Sequence, residues 1–335
     1  MTMPVFLRRV AAGAKFSAFA VLAAFAASPS TAAPRGAAAA GWPHEKPMAW
    51  IVGFPPGGTA DTLTRRAAVL LSRKTGQPVV VENRAGASGA VAVQAAASAA
   101  ADGYTMVTMA GPGIDAQGTP ALGNGLQPVA MLAKGPMVLV GPMANAPPAD
   151  LQALLAEARR NPKAWSYATS GTGTPQHLAG ELLNRLAGTS ILHVPYKGGA
   201  QAIGGVVGGQ VPLAMLGVMP LLPYIASGKV KAYAVTSASR LRATLPDVPT
   251  MQEAGLADYD ISQWNLVAVA EKVPSARVAQ LNRWINEIMT SREMKEALRV
   301  TGCVPLEGSP AFVSSFVRAE DEKWRAFARA VGIAN

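Results

Sequence analysis

Short runs rich in apolar and β-branched residues alternate along this chain with stretches in which apolar residues recur every three or four positions, and glycine or proline marks most of the switches. The runs predict strands over 49–54, 79–82, 105–109, 138–140, 166–168, 192–194, 213–216, 232–236 and 266–270. Helical spacing fills the intervals. After Asp61 it places Leu63, Ala67, Leu70 and Leu71 on one face, and Leu151, Leu154, Leu155 and Ala158 repeat the pattern. Three further helices are expected over 276–289, 294–300 and 310–331. Such alternation argues for α/β layers with largely parallel sheets. Roughly three hundred residues beyond the N-terminal leader suit two domains.

The most informative switch is Phe54-Pro-Pro-Gly-Gly-Thr-Ala-Asp61, where the apolar run of Trp50, Ile51 and Val52 stops and helical spacing begins. A strand feeding a glycine-rich turn and then a helix leaves the first backbone N–H groups without intrahelical partners, and the helix dipole adds partial positive charge there. Such a junction holds an anion without a charged side chain. Gly57 and Gly58 allow close backbone approach, with Phe54, Pro56, Thr59 and Ala60 around them. Asp61 is either part of that site or a helix cap, and a plain turn is the competing reading.

A second junction, Ser170-Gly-Thr-Gly-Thr-Pro-Gln-His177, repeats the arrangement, with Trp165, Tyr167 and Ala168 before it and Leu178, Ala179, Leu182 and Leu183 after. Thr174 suits the N-cap and Pro175 the first turn, which leaves Ser170, Gly171, Thr172 and Gly173 as an open loop rich in donors. Facing each other from separate lobes, the two helix starts form a pincer for an anion. Neither loop contains an arginine. The loop at 110–113, with Gly111 and Gly113, follows another strand end and is expected on the first lobe's side of the same cleft.

At the N-terminus Arg8, Arg9 and Lys15 precede an apolar run from Phe16 to Ala27, and Thr31, Ala32 and Ala33 then offer a peptidase site. This predicts a cleaved signal peptide over 1–33 and a mobile, alanine-rich leader over 34–47. The apolar run is short for a membrane-spanning helix. The formal charge of +10 includes those three basic residues, and the remaining excess is spread without a Lys/Arg block, which argues against nucleic-acid partners. The one cysteine, Cys303, has no partner for an internal disulfide. A chain of this size buries enough surface without one.

Several residues invite catalytic or metal-binding readings. His177 and Glu181 are four apart on one helix, but no third ligand lies nearby and the His-Glu-x-x-His arrangement is absent, so a helix surface or a local pair is expected. His193 reads as structural. Ser170 lacks a nucleophile elbow, because Ala168 stands where its first glycine belongs. Neither glycine-rich loop ends in Gly-Lys-Ser/Thr, so neither is a P-loop. No catalytic residue, metal site or cofactor is expected. The loop at Tyr196-Lys197-Gly198-Gly199 is read as a structural turn near the cleft, and Trp264 is either core or a wall of the cleft.

Together with Glu82-Asn-Arg-Ala-Gly86 after Gly76-Gln-Pro-Val-Val-Val81, Asp102-Gly-Tyr-Thr105, His177-Leu-Ala-Gly-Glu181, His193-Val-Pro-Tyr-Lys-Gly198, Leu245-Pro-Asp-Val-Pro-Thr250 and Glu253-Ala-Gly255, the two junctions make the chain from Trp42 onward resemble the Bug-type (TctC-like) extracytoplasmic solute receptors of the tripartite tricarboxylate transporters. The resemblance implies an α/β, periplasmic-binding-protein-like fold with two lobes around a ligand cleft and two interlobe crossings. It places 48–139 plus 267–335 in lobe 1, with the C-terminal helices packed back on it, and 140–266 in lobe 2. It also implies a monomeric periplasmic protein that binds a small carboxylate and hands it to membrane permease subunits. The donors expected for that carboxylate are the N–H groups of Gly58 to Ala60 and the hydroxyls of Thr172 and Thr174. A ligand-sensing accessory to a membrane kinase and a periplasmic hydrolase are the alternatives. Two departures bear on the ligand: the stretch 114–127 is short and has Gly118-Thr119-Pro120 in place of an Asn-Pro pair, and Leu216-Gly217-Val218 stands where many relatives carry polar residues. Loss of a polar anchor at Leu216 points to a ligand with an apolar or aromatic body, or one without an amino group; dicarboxylates, tricarboxylates, amino acids and aromatic acids all remain open.

Overall fold

The computed structural model describes residues 41–113, 125–144 and 147–333. The expected signal peptide, the leader up to residue 40 and most of the shortened stretch at 114–127 lie outside these residues. In chain order the elements are β1 (Met48–Val52), α1 (Thr59–Thr75), β2 (Val79–Asn83), α2 (Ala90–Ala97), β3 (Thr105–Gly111), β4 (Leu126–Gly135), β5 (Met137–Pro142), α3 (Leu151–Arg160), β6 (Ser166–Thr169) and α4 (Pro175–Ala187). They continue with β7 (Leu192–Pro195), α5 (Gly199–Val207), β8 (Leu213–Gly217), α6 (Val218–Ala226), β9 (Val230–Val235), β10 (Gln263–Ala270), α7 (Ser275–Met289), α8 (Arg292–Arg299) and α9 (Pro310–Ala330).

The strands form two five-stranded sheets, ordered β2-β1-β3-β10-β4 and β7-β6-β8-β5-β9. The two orders are the same pattern. In each, three parallel strands joined through helices sit beside one antiparallel strand that the other half of the chain supplies. A fifth strand then pairs antiparallel with that visitor alone. The sheets are therefore mixed rather than largely parallel, and the sequence similarity of two glycine-rich turns reflects a repeat of whole βαβαβ units.

The chain changes sheet at Pro136, between β4 and β5, where the missing N–H cannot continue a ladder. It returns before Gln263. Met137 to Leu139 belong to the second sheet and Gln263 to Leu266 to the first, which corrects the expected boundaries at 139/140 and 266/267. β4 was not foreseen from the pattern, because its uninterrupted apolar run Val129 to Ala133 is interchangeable with a buried helix segment.

Strand alternation sorts the core of the first sheet. Met48, Trp50, Met106, Val267 and Val269 face α1 and α7, packing on Leu63, Leu71, Leu281 and Ile285. Ile51, Val107, Trp264, Leu266 and Ala268 face the opposite way, onto Ala92 and Val93 of α2 and Val313 and Val317 of α9. All eight residues of β10 are buried, because both of its faces are covered and it is flanked by β3 and β4.

The C-terminal helices only partly follow the expectation that they return to the first lobe. α7 and α8 do, through Val278, Leu281, Met294 and Leu298. α9 begins there with Val313 and Val317, but its last turns place Trp324 and Ala328 in the core of the second sheet, beside Leu154, Leu183 and Tyr259. At 1.5 Å per residue a 21-residue helix is about 30 Å long, which is enough to span both sheets. The end of the expected mobile leader is docked as well: the Trp42 ring stacks on Trp284 at 5.3 Å between centroids, and Lys46 pairs with Asp102 at 2.7 Å.

If α9 ties the second sheet to the C-terminus, Trp324→Ala should destabilise the protein by about 3–5 kcal/mol, as for other buried tryptophans. Urea unfolding followed by circular dichroism checks this. A loss under about 1 kcal/mol would mean that the end of α9 contributes little to that core.

Candidate functional site

Four helices begin at one cleft. α1 starts at Gly58, α4 at Thr174, α5 at Gly198 and α6 at Gly217, and none of the four carries a side-chain cap hydrogen bond. Of the helices whose residues do not line the cleft, α3, α8 and α9 are capped by Asp150, Ser291 and Ser309, while α2 and α7 start at Gly89 and Pro274 without a side-chain cap. A side-chain cap consumes the free N–H groups of a first turn. Leaving them free at four converging ends concentrates partial positive charge where a ligand would sit.

The first junction is braced from behind. Asp61 is buried and accepts hydrogen bonds from Gly57 N–H (2.9 Å), Arg65 Nε (2.9 Å) and Asn83 Nδ2 (2.8 Å), while Asn83 Nδ2 also donates to the Phe54 carbonyl (2.9 Å). Burial pushes the Asp61 carboxyl up, but the bonds from Arg65, Asn83 and Gly57 outweigh it and hold the group below the usual carboxylate range. Asp61 is thus spent on fixing the loop, and it does not line the cleft. Gly57 has φ +89°, a conformation that a residue with a Cβ adopts only with strain. Below the first turn of α1, Thr64 Oγ1 donates to the Ala60 carbonyl (2.7 Å) and shares a hydrogen bond with Thr108 Oγ1 (2.6 Å), which in turn accepts from Trp50 Nε1 (2.9 Å).

The second junction rests on a buried histidine pair. Gly173 N–H donates to His177 Nδ1 (3.1 Å), His193 Nε2 bonds Thr169 Oγ1 (2.7 Å), and the two rings stack at 3.8 Å. Burial pulls His177 down to about 4; burial, with the neighbouring His177 in addition, pulls His193 down to about 3. Both are neutral wherever the fold is intact near neutrality. Glu181 does not pair with His177; it accepts from the Tyr167 hydroxyl (2.6 Å). Thr174 Oγ1 donates to the Gly171 carbonyl (2.7 Å), so it is not free for a ligand, and Thr172 is exposed, its carbonyl taking a bond from Ser88 Oγ (2.7 Å).

The cleft itself is lined by Phe54, Gly58, Thr59, Ala60 and Ser170 from the expected set. Pro56, Gly57, Gly171, Thr172, Gly173 and Thr174 shape the two loops without lining it, and Gly113 approaches the Gly173 carbonyl across the gap between sheets. Gly111 and Trp264 point away together: a Cβ on Gly111 would collide with the Trp264 indole, whose Nε1 donates to Glu320 of α9 (3.2 Å). Trp264 is therefore core, and the wall it was offered for is built by its neighbours. Ala110, Gln176, Gly199, Leu216, Gly217, Pro220, Gln263 and Asn265 complete the lining.

Gln263 and Asn265 escaped the sequence reading although a signal exists: they are the two polar residues of an otherwise apolar strand, and they share a parity. None of the described lining residues is charged. The site thus combines an electropositive backbone with neutral side chains, which suits an anionic group on a small organic body.

Comparison with known proteins agrees with this geometry. The model of the tripartite tricarboxylate transporter family receptor, TctC, matches residues 63–333. The chain belongs to that family. BugT of Bordetella pertussis is 34% identical over 321 residues, covering 93% of this chain and 97% of BugT. Among solved structures, an R. palustris protein with adipate superposes with a TM-score of 0.82 at 31% identity, covering 88% of this chain and 99% of that one. The periplasmic binding protein BugD follows at 0.80 and 28%, covering 87% and 99%. TctC receptors are solute-binding proteins of the periplasm, and the two α/β lobes seen here are the fold of that group.

The histidine pair gives this receptor an acid-sensitive joint. Both groups have folded-state values far below the ordinary 6.5, so the unfolded chain takes up protons that the native state refuses. Stability from these two groups is complete above about pH 6.5 and falls as the pH drops towards 4. Urea unfolding at pH 7 and pH 4.5 should show a smaller acid loss in His193→Phe than in the parent; equal losses would mean that the pair does not titrate in this way.

Proposed function

We propose that this TctC-family protein is a periplasmic receptor that captures a small carboxylate between the two glycine-rich junctions and delivers it to the membrane subunits of a tripartite tricarboxylate-type transporter. One observation carries the reading: four uncapped helix N-termini surround a cleft with no charged side chain among its described lining residues. A carboxylate there replaces its water shell with backbone N–H donors, which offsets the cost of burying a charge. The adipate and the malate of two R. palustris structures similar in fold fit the same chemistry. Ser170, the one lining hydroxyl near a histidine pair, donates to Gln176 Oε1 (2.9 Å) instead of to a base, which favours capture over turnover.

The lining also narrows the ligand. An α-ammonium group would enter an electropositive cleft without a counter-ion, because Asp61 is already shared by three donors. Leu216, Pro220, Phe54 and Ala110 supply apolar surface for a carbon skeleton. The ligand is a carboxylic acid without an amino group. Its receptor is exported by a signal peptide removed after Ala33 and acts as a monomer with two lobes that close on the acid.

A thermal-shift comparison of matched pairs tests this: succinate against aspartate, glutarate against glutamate, and phenylpropionate against phenylalanine. At about a hundred times its dissociation constant, a bound acid should stabilise the native state by roughly 2.7 kcal/mol. At least one amine-free acid should raise the melting temperature while its amino partner does not. The reverse preference would overturn the ligand class.

Blocking the first helix end should abolish capture. In Gly58→Val a branched side chain would rise beside Gly199 into the narrow gap between the sheets, at the mouth of the free N–H groups of α1. The backbone here, at φ −81°, tolerates a side chain, so the variant should fold. Calorimetry with the acid chosen by the screen should detect no binding, and circular dichroism should match the parent. Parent-like affinity would place the ligand elsewhere.

A further inference from the structure

Gln263 is the first residue of β10, at the point where the chain re-enters the first sheet. It is 4% exposed and lines the cleft, on the face of the strand opposite Trp264. Its Oε1 accepts from Gln176 Nε2 (3.0 Å), and Gln176 Oε1 accepts from Ser170 Oγ (2.9 Å). Gln176 and Ser170 belong to the second sheet's glycine-rich junction and are also buried, at 8% and 7% exposure. This file of a hydroxyl and two amides runs from one sheet to the other beneath the ligand cleft and ends on an open donor: Gln263 Nε2 is buried and has no hydrogen-bond partner among the described residues.

The position of that free donor is set by the neighbouring glycine. A Cβ on Gly217, the residue from which α6 starts, would collide with both Gln263 Nε2 and Thr59 Oγ1. Gly217 has φ −61°, so its backbone imposes no need for glycine; the need is for the space that these two groups occupy. The side chains of the first residue of α1 and of Gln263 thus converge over the start of α6. A buried donor left unpaired is costly, and a site built to bond a ligand through it rejects molecules that cannot accept.

Resting on the carboxylate reading above, we propose that Gln263 is the specificity-determining residue of this cleft. Its Nε2 donates to the ligand carboxylate beside the first turn of α1, and Gln176 and Ser170 hold it in that orientation. The arrangement makes one side chain of the first sheet, held by two of the second, the reader of the ligand. Ligand contact and apposition of the two sheets are thereby linked through a single amide.

The test is calorimetric titration of adipate, malate, succinate, glutarate and phenylpropionate into the parent, Gln263→Leu, Gln263→Met and Gln176→Leu. Both position-263 substitutions keep roughly the volume and remove the donor. They should weaken the acid that binds the parent by about ten- to a hundred-fold, the range expected for a hydrogen bond to a charged group. The melting temperature without acid should stay close to the parent's, because the unpaired donor at Gln263 is removed while Gln176 Nε2 loses its acceptor; a purely structural glutamine would lower it. Gln176→Leu should weaken the same acid while leaving Gln263 present. Undiminished binding in a folded Gln263→Leu or Gln263→Met protein would overturn this proposal alone and leave the carboxylate reading intact. No heat from any of the acids with the parent would overturn the carboxylate reading and this proposal with it.

Discussion

On the function proposed above, the rest of this structure depends on holding a carboxylate without a cationic side chain. Backbone N–H groups at a helix start can do it, but a single end supplies only about half an elementary charge. Four ends have to meet. The duplicated sheet order solves that problem geometrically: in each half, helices start from the ends of parallel strands, and the two halves are set with those ends opposed. Uncapped first turns at Gly58, Thr174, Gly198 and Gly217 are unfavourable for the isolated helices, and all four converge on the cleft.

Given that constraint, polar groups behind the cleft act as supports. Asp61 gathers Gly57, Arg65 and Asn83 and fixes the first loop, so its charge is compensated before any ligand arrives. The stacked histidines do the same for the second loop as neutral rings, with His177 Nδ1 accepting from Gly173. An additional cation at either place would have strengthened anion binding but weakened discrimination, since exposed or mobile charges attract anions of every shape. A cleft of backbone donors and amides selects by geometry.

The exchange of strands gives the two halves their mechanical relation. β5 and β10 each lie inside the sheet that the other half of the chain dominates, and α9 extends from the core under Val317 to the core around Trp324. Three segments therefore join the halves where two crossings were expected. Gln263 lies on one of them, at the start of β10, which is why a residue so far along the sequence from the glycine-rich loops reaches the same space.

The sequence by itself determined most of the local chemistry: the place of every strand but β4, the points where glycine opens a strand into a helix start, and that no cationic side chain sits in those turns. These features are carried by neighbouring residues, and the two loops read as Phe54 to Asp61 and Ser170 to Thr174 stand at two of the four helix ends. Many separate motifs in one order were also enough to resemble the TctC receptors. Only the tertiary structure decided which groups face the cleft. Along β10 every residue is buried, so hydrophobic pattern could not say that Gln263 and Asn265 turn towards α1 while Trp264 turns towards α9. It could not tell that Thr174 spends its hydroxyl on Gly171 or that Asp61 turns inward, because those choices depend on partners brought close by folding. Facing, pairing and the meeting of four helix ends are long-range facts, fixed by how two covered sheets pack and not by any stretch of sequence alone.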